Sequence, residues 1–235
     1  MNNSPLVNYT AISPNKTSPR NHMIDTITIH HMAGDLTVER CGQVFANPAR
    51  KASSNYGIGS DGRIGLYCEE KNRSWCSSSR INDNRAVTIE VANCGGAPDW
   101  QVSDAALSSL IELVADICSR NGIPELVWSD RKDDRVNHRN GCNMTIHRDF
   151  SATLCPGPYL LAKMPYIADK VNEKLGEKKE PAEQPLQPAV IHTVGVGDTL
   201  IRLGRRYGVD WHEIANLNGI KPPYIIRIGQ KLRIK

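Results

Sequence analysis

The sequence lacks any long apolar run. Nothing in its 235 residues approaches the 18 or more uninterrupted apolar residues that a membrane-spanning helix needs. Residues 1–22 are polar and lack the apolar stretch of a secretory signal. We therefore expect a protein that is made in the cytoplasm and does not insert into membranes. It would reach a target outside the cell by another route, such as a pore.

The sequence also lacks an even number of cysteines, which a complete set of disulfides would need. The chain has seven, and an odd count without a secretory signal argues against a full disulfide framework. Most are expected to be reduced and half-buried, with at least one available as a metal ligand. A disulfide between Cys68 and Cys76 stays open, because spacing alone says little about geometry.

Most of the chain has no excess of one charge sign. Of the net charge of +4, the segment His192–Lys235 contributes +5, from eight Lys/Arg and three Asp/Glu. A basic tail can bind nucleic acid or an anionic surface such as a cell wall. No aromatic-rich nucleic-acid motif accompanies it, so no nucleic-acid partner is expected. DNA binding, the alternative, would show a steeply salt-dependent affinity.

Residues 176–191 form the clearest boundary. Their sequence, GEKKEPAEQPLQPAVI, has three prolines and many Glu, Lys and Gln residues. This composition is typical of an extended, semi-stiff linker with little to bury. We expect a larger domain at residues 1–175 and a small one at residues 192–235.

The larger segment alternates strand and helix patterns. Short runs rich in β-branched and apolar residues predict strands at Thr26–His31, Ala86–Asn93 and Leu126–Trp128, and a hairpin at Tyr56–Tyr67 around Asp61-Gly62. Apolar residues at helical spacing predict a helix from the Ser103 cap to a Gly122 stop, and another that begins near Pro165. The fold class is therefore α/β, a mixed sheet flanked by helices.

The small segment predicts a β-α-α-β unit. Each helix lies between a capping Asp and a terminating Gly, at Asp198–Gly208 and Asp210–Gly219. Strands are expected on either side, at Thr193–Val196 and Lys231–Ile234.

Histidine and cysteine side chains offer a metal site. A catalytic zinc has three protein ligands and an open position for water, and His and thiolate are favoured donors. Alternation places His30 and His31 on opposite faces of their strand, so one of them can point into a site. His147 and Cys155 share a loop that can bring both to one metal. For any one of these histidines, a structural or surface role is the alternative.

Four motifs resemble a known family. They are Ile27–Gly34 (ITIHHMAG), Asn55-Tyr56, Val87–Asn93 (VTIEVAN) and His147–Gly157 (HRDFSATLCPG). Together, and in this order, they resemble the zinc-dependent N-acetylmuramoyl-L-alanine amidases, which share a fold with phage amidase lysozymes and animal peptidoglycan recognition proteins. The resemblance covers roughly residues 20–175. It implies that residues 1–175 form a catalytic domain with a zinc ion at the floor of a groove.

The resemblance also implies roles for single residues. His30, His147 and Cys155 match the zinc ligands. Tyr56 matches a tyrosine near the metal, with a packed strand aromatic as the alternative. Glu90 matches a general base for the zinc water, and the alternative is a carboxylate that faces solvent or pairs with a basic neighbour.

Thr153 departs from the family pattern. Several members carry lysine two residues before the cysteine, where its charge would steady an oxyanion. A threonine hydroxyl can donate one hydrogen bond there but brings no charge. Asp149, Asn143 and His138 could support a zinc histidine, although a role as loop polar residues is favoured.

The tail has a resemblance of its own. His192–Lys235 looks like a LysM domain, a module that binds N-acetylglucosamine-containing glycans in a shallow groove. By position, two loops would line that groove, through Gly197, Asp198, Thr199 and Leu200 on one and Asn218, Gly219 and Ile220 on the other. The alternative is that Asp198 only caps a helix and Leu200 only packs.

Both resemblances imply a hydrolase of bacterial peptidoglycan. The expected reaction cleaves the amide between N-acetylmuramic acid and L-alanine with a zinc-activated water, while the tail holds the enzyme on the wall. The missing signal and this pairing of domains together resemble a phage or prophage endolysin, and a bacterial autolysin exported unconventionally is the alternative context. The alternatives are a non-catalytic peptidoglycan receptor, which typically lacks the cysteine ligand, and a zinc peptidase that cuts within the stem peptide. Nothing in the sequence indicates an oligomeric state.

Overall fold

The computed structural model describes residues 2–177 and 190–234. Residues 178–189, most of the predicted linker, lie outside the described residues. The chain divides into two compact units, residues 1–180 and 181–235. None of the described helices is both long and apolar enough to cross a membrane.

The first unit alternates strands and helices along the chain. Its strands are β1 (Tyr9–Thr10), β2 (Lys16–Thr17), β3 (Thr26–His31), β4 (Tyr56–Ile58), β5 (Ile64–Leu66), β6 (Arg73–Ser74), β7 (Ala86–Val91) and β8 (Met144–Ile146). Its helices are α1 (Val38–Ala46), α2 (Arg80–Arg85), α3 (Asp104–Asn121), α4 (Lys132–Val136) and α5 (Gly157–Glu177). Single 3₁₀ turns lie at Pro48–Arg50, Arg139–Gly141 and His147–Asp149.

A mixed sheet forms the centre of this unit, as predicted. Its strand order is β1-β5-β4-β7-β3-β8, and β2 pairs with β6 separately. Strands β3 and β7 are parallel neighbours, with His30 opposite Glu90. On its other side β3 pairs in parallel with β8, where Ile29 lies opposite Ile146. Strands β4 and β5 form the predicted antiparallel hairpin, and Gly62 in its turn has φ of 82°.

One face of the sheet is apolar and carries the core. Alternate strand residues point to one face, so Ile27 and Ile29 share this side with Ile89 of the neighbouring strand. All three are fully buried with α3 and α5, and each isoleucine contributes roughly 1.5–3 kcal/mol of burial free energy. The predicted limits of α3 are confirmed: the Ser103 hydroxyl accepts a first-turn N–H, and Gly122 ends the helix with φ of 71°.

The other face of the central strands is polar. Thr28 Oγ1 lies 2.8 Å from Thr145 Oγ1 and accepts a hydrogen bond of 3.0 Å from Asn82 Nδ2. His30 and Glu90 lie on the same face, near the carboxyl ends of β3 and β7. A polar site can therefore form here without disturbing the hydrophobic core.

Two local expectations for this unit are wrong. Leu126–Trp128 forms no strand. The Val127 carbonyl accepts the N–H groups of Asn143 and Met144, and the Val127 N–H donates to the Asn143 side chain. Pro165 lies inside α5, which already begins at Gly157, and not in a first turn. Apolar residues on both sides of Pro165 are buried, and that packing outweighs the backbone hydrogen bond that proline removes.

The second unit has the predicted β-α-α-β order. It contains β9 (Ile191–Thr193), α6 (Leu200–Tyr207), α7 (Trp211–Leu217) and β10 (Lys231–Arg233), and β9 pairs antiparallel with β10. The first strand thus begins and ends earlier than the predicted Thr193–Val196. Its small core comprises Val194, Leu200, Leu203, Ile214, Ala215, Leu232 and Ile234.

The helix caps of this unit differ in part from expectation. Thr199 caps α6 by accepting the N–H of Arg202, so the prediction for Asp198 is wrong. Asp198 instead accepts the N–H of Gly195 at 2.7 Å and lies 2.8 Å from His192 Nε2. These contacts lower the pKa of the Asp198 carboxyl group. Asp210 caps α7, as predicted.

Candidate functional site

The three predicted metal ligands lie together. His30 is near the end of β3, His147 directly follows β8, and Cys155 lies in the loop before α5. His30 Nδ1 is 3.5 Å from Cys155 Sγ, and the two imidazole rings are 4.9 Å apart between centroids. One ligand atom from each residue lies within 4.8 Å of the others. The parallel pairing of β3 with β8 produces this cluster, because it brings the carboxyl ends of both strands to one edge.

The cluster fits a metal ion. His30 Nε2 is buried and has no hydrogen-bond partner within the described chain. Burial lowers the pKa of His30 well below its usual value and also lowers that of His147, so both imidazoles are neutral and able to ligate. Burial raises the pKa of the Cys155 thiol, and a bound cation would favour its thiolate. Two imidazole nitrogens and one sulfur form a donor set typical of zinc.

A buried ion pair fixes the ligand loop. Asp149 accepts hydrogen bonds of 2.9 and 2.6 Å from Arg135 and one of 3.0 Å from the N–H of Ile146. Both side chains of the pair are nearly inaccessible, and Arg135 also lies 4.6 Å from the centre of the Trp128 ring. Asp149 therefore holds the backbone beside His147 and does not bond to the imidazole. The favoured role of a loop polar residue is the one observed.

Glu90 faces the same site. It lies opposite His30 on the polar side of the sheet, and its Oε2 atom is buried without a hydrogen-bond partner among the described residues. Burial raises the pKa of Glu90 to about 8, and the charge of Arg50 opposes that rise. Within residues 2–177 and 190–234 no basic side chain forms an ion pair with Glu90. The structure therefore excludes the alternative that Glu90 pairs with a basic neighbour. The carboxyl group is placed to take up a proton within the cavity.

Cys76 is a neighbour that sequence reasoning missed. Its Sγ lies 3.9 Å from Glu90 Oε1, and one atom each of His30, Cys76 and Glu90 lies within 4.8 Å of the others. Burial raises the pKa of the Cys76 thiol. Cys76 follows strand β6 in a loop, and no spacing pattern in the sequence connects it to the ligands. Both Cys76 and Cys68 are free thiols, so the disulfide considered between them is absent.

Tyr56 lies on the wrong face for a role at the metal. It is fully buried in the core, opposite Ile89 and not opposite Glu90. Its hydroxyl donates a 2.6 Å hydrogen bond to Glu70 and accepts one of 2.9 Å from the N–H of Ser4. The expected catalytic role is therefore wrong, and the packed strand aromatic is the correct interpretation.

A second tyrosine occupies the polar face beside the site. Gly57 lies opposite Glu90, and a methyl group at Gly57 would come within 2.6 Å of the Tyr67 ring. The Tyr67 hydroxyl donates to the carbonyl of Val38 at 2.7 Å. Tyr67 thus lies over the glycine and holds the start of α1, with its hydroxyl already engaged.

The site opens into a cavity of about 270 Å³. Thr153 lines it together with His147 and Cys155, and the Thr153 hydroxyl accepts the N–H of Cys155 at 3.2 Å. That hydroxyl keeps its own proton to donate. The other wall is mostly apolar and is formed by Met32, Ala33, Leu36, Val44 and Phe45. Larger cavities of about 550, 530 and 450 Å³ lie beside Asn21–Asp25, Trp128 and Arg80, and none of the three is lined by the clustered ligands.

The predicted glycan-binding residues fall into two groups. Leu200 is buried in the core of the tail, and Asn218 bonds through its side chain to both backbone groups of Arg233 and to the carbonyl of Ile214. These two residues stabilise the fold. The remaining predicted residues, Gly197, Asp198, Thr199, Gly219 and Ile220, are exposed or half-buried.

Two family matches cover most of the described chain. Residues 20–158 match the N-acetylmuramoyl-L-alanine amidases. The chain belongs to this family. The match spans more than half of the amidase and includes all three clustered ligands. Residues 192–235 match the LysM domain. The chain thus combines an amidase domain with a LysM domain.

Solved structures share the fold of the amidase. Staphylococcus aureus hydrolase AmiA, in complex with its ligand, is 17% identical with a TM-score of 0.56, covering 76% of this chain and 86% of that one. A selenomethionine derivative of AmpD is 16% identical with a TM-score of 0.52, covering 70% and 96%. A mutant endolysin from Bacillus subtilis is 16% identical with a TM-score of 0.51, covering 70% and 99%. At such identities the likeness concerns the fold alone.

Curated relatives match shorter stretches. The uncharacterized lipoprotein YgeR of Escherichia coli (strain K12) is 52% identical over 44 residues, which are 19% of this chain and 18% of that protein. The lipoprotein NlpD/LppB homolog of Pseudomonas aeruginosa is 30% identical over 93 residues, 40% of this chain and 30% of that protein. The amidase therefore spans less than a third of the length of either relative.

Proposed function

We propose that this amidase uses a zinc ion, held by His30, His147 and Cys155, to hydrolyse the bond between the lactyl group of N-acetylmuramic acid and L-alanine. The observation that carries the proposal is the convergence of these three ligand atoms within 4.8 Å, beside the buried carboxyl group of Glu90. When bound, zinc would supply a Lewis acid that polarises the amide carbonyl and makes a water acidic near neutral pH.

Glu90 handles the protons in this proposal. Its Oε atoms would accept a proton from the attacking water and then deliver it to the leaving nitrogen of L-alanine. A carboxyl group whose pKa lies at about 8 in the metal-free protein is well suited to hold that proton between the two steps. Cys76, 3.9 Å from Oε1, helps to fix the orientation of the carboxyl group.

The other cavity residues orient the substrate and exclude water. The hydroxyl of Thr153 would donate a hydrogen bond to the oxygen that gains charge when the amide is attacked. The apolar wall around Leu36 and Phe45 keeps bulk water from the reacting amide. This arrangement strengthens every electrostatic contact inside the cavity.

We assign the tail, residues 192–235, to glycan binding. We assign the glycan contact to the predicted loop residues that are exposed or half-buried, which are Gly197, Asp198, Thr199, Gly219 and Ile220. Binding there would raise the effective concentration of the catalytic unit on the wall. Residues 176–191 would serve as the linker between the two functions.

We assign the amidase to a phage or prophage endolysin that acts on the wall after release through a membrane pore. The pairing of an amidase domain with a LysM domain and the endolysin among the structural neighbours support this context. Cys155 supports an enzyme over a non-catalytic receptor, because the third metal ligand is present.

Mass spectrometry of digested cell walls tests the reaction. Purified walls are incubated with the full chain and with Glu90→Gln, and the soluble fragments are sequenced. We expect free stem peptides that begin with an unblocked L-alanine, and a loss of about 10²–10⁴-fold in their rate of release for the variant. Cleaved peptides that remain attached to glycan would instead show a peptidase, and binding without any cleavage would show a receptor.

A further inference from the structure

One arginine in the cavity has no partner. Arg50 ends the 3₁₀ turn Pro48–Arg50, is exposed, and lines the same cavity as Glu90, His147 and Cys155. Its guanidinium group forms no hydrogen bond and no ion pair with any described residue, and its backbone N–H bonds only to the carbonyl of Asn47. Arg50 and Glu90 therefore share a cavity without forming an ion pair, although the charge of Arg50 favours the ionised form of Glu90.

Most other arginines of this unit have a hydrogen-bond or ion-pair partner. Most are bonded to carboxylates or backbone carbonyls, namely Arg20, Arg63, Arg85, Arg120, Arg135 and Arg139. Arg80 and Arg148 also have free guanidinium groups within the described chain, but neither lines the cavity that contains the ligands. Among the described residues, Arg50 is thus the arginine without an ion-pair partner that lines the cavity of Glu90, His147 and Cys155.

The backbone that carries Arg50 is fixed. Asn47 caps the turn by accepting the N–H of Ala49 at 2.9 Å, and the carbonyl of Asn47 accepts a 2.9 Å hydrogen bond from Asn15 Nδ2. Lys51 closes the turn in a left-handed conformation, with its N–H bonded to Pro48. The charge therefore projects from a preorganised base, which lowers the entropy lost when it binds an anion.

The cavity presents three features to a ligand. Two of the candidate metal ligands line it beside Glu90, the side chains around Leu36 and Phe45 are apolar, and Arg50 adds a positive charge. The stem peptide has matching features, because the scissile amide leads to the methyl group of L-alanine and then to the α-carboxylate of a γ-linked glutamate. A guanidinium group binds a carboxylate through two parallel hydrogen bonds.

We propose that Arg50 binds the carboxylate that follows L-alanine in the stem peptide, and that it makes the amidase selective for peptides in which this group is free and not amidated. The inference rests on the proposed amidase reaction. It names the chemical form of the substrate that the site prefers.

Paired muropeptides test this selectivity. Two soluble substrates differ only in whether the glutamate carries a free α-carboxylate or a carboxamide, and the full zinc-loaded chain is assayed on both by release of peptides with free L-alanine. We expect the wild type to favour the free acid by about tenfold in kcat/KM, in line with a hydrogen bond between charged groups. Arg50→Gln removes a cation near Glu90, so hydrolysis of both substrates should slow somewhat. Hydrolysis of the acid should fall by about tenfold more than that of the amide, which abolishes the preference.

Two further variants complete the design. Arg50→Lys keeps the charge without the planar fork, so it should retain part of the preference. Arg80→Gln, an exposed arginine outside the cavity, should retain all of it. Equal rates on both substrates for the wild type, or an equal fall on both for Arg50→Gln, would overturn the role of Arg50 and leave the amidase reaction intact. Failure of the wild type to release peptides that begin with L-alanine from either substrate would overturn the reaction itself.

Discussion

Replacing Glu90 by glutamine should stabilise the metal-free protein, although it slows hydrolysis by the zinc-loaded protein by about 10²–10⁴-fold. The carboxyl group faces the cavity with one oxygen unpartnered, and burial raises its pKa from 4.5 to about 8. Between these two pH values the folded chain holds a proton that the unfolded chain has released, so the native state loses stability as the pH rises. A neutral amide of the same shape does not titrate and escapes this loss.

The size of the effect follows from the pKa. Each pH unit above 4.5 costs about 1.4 kcal/mol until the folded-state value of about 8 is reached. At pH 7 the variant should therefore be more stable than the wild type by up to about 3 kcal/mol. The full figure is an upper bound because Glu90 keeps partial contact with solvent along the cavity. At pH 4.5 and below, the difference should vanish.

Chemical denaturation of the metal-free full chain measures this difference. Unfolding midpoints are compared from pH 4.5 to pH 8 for the wild type, for Glu90→Gln, and for Glu125→Gln, an exposed glutamate that serves as the control. Adding zinc should shrink the gap, because a nearby cation stabilises the charged carboxylate. A difference in stability that does not change with pH, or that the control also shows, would refute the raised pKa of the Glu90 carboxyl group.

The remaining predictions concern two side chains that the structure assigns to the fold and not to chemistry. Tyr56→Phe removes the hydroxyl that bonds to Glu70, and we expect a loss of about 1–3 kcal/mol in unfolding free energy with unchanged metal content and hydrolysis. If the variant lost hydrolysis without losing stability, Tyr56 would have a role in the active site. Asn218→Ala removes the bonds to Arg233 and should lower the thermal stability of the tail and its retention on walls, whereas the exposed Asn216→Ala should change neither.

Local sequence patterns predicted the elements with strong periodicity. The β-branched run of Thr26–His31 and the capped apolar helix from Ser103 to Gly122 are present, because each pattern matches the burial it receives. Helix α1, Val38–Ala46, was not predicted. Its buried residues pack on Tyr67, a contact between segments that are far apart in the chain.

The group of candidate metal ligands could be predicted from the sequence in part. His30, His147 and Cys155 fall in family motifs, and the structure brings them together at one end of parallel strands. The position of Tyr56 could not be derived in the same way. Its face depends on the register of β4 against β7, and a shift of one residue reverses every side chain.

Neighbours that reach the site from loops gave no sequence signal. Cys76 and Arg50 approach the cavity from a loop and a 3₁₀ turn, where no periodicity links them to the ligands. Their contribution depends on tertiary packing. In the tail, both Asp198 and Thr199 could cap α6 by their sequence position. Asp198 instead bonds to His192 and Gly195, contacts that the sequence did not indicate, and Thr199 forms the cap.

The central claim is that His30, His147 and Cys155 hold the zinc ion that hydrolyses peptidoglycan. The most direct measurement is the zinc content of purified Cys155→Ala, determined beside its release of L-alanine-terminated peptides, with Cys94→Ala as the exposed-cysteine control. We predict that the control binds about one zinc per chain and remains active, and that Cys155→Ala loses both the metal and the hydrolysis. Full release of stem peptides by Cys155→Ala without bound zinc would contradict the account.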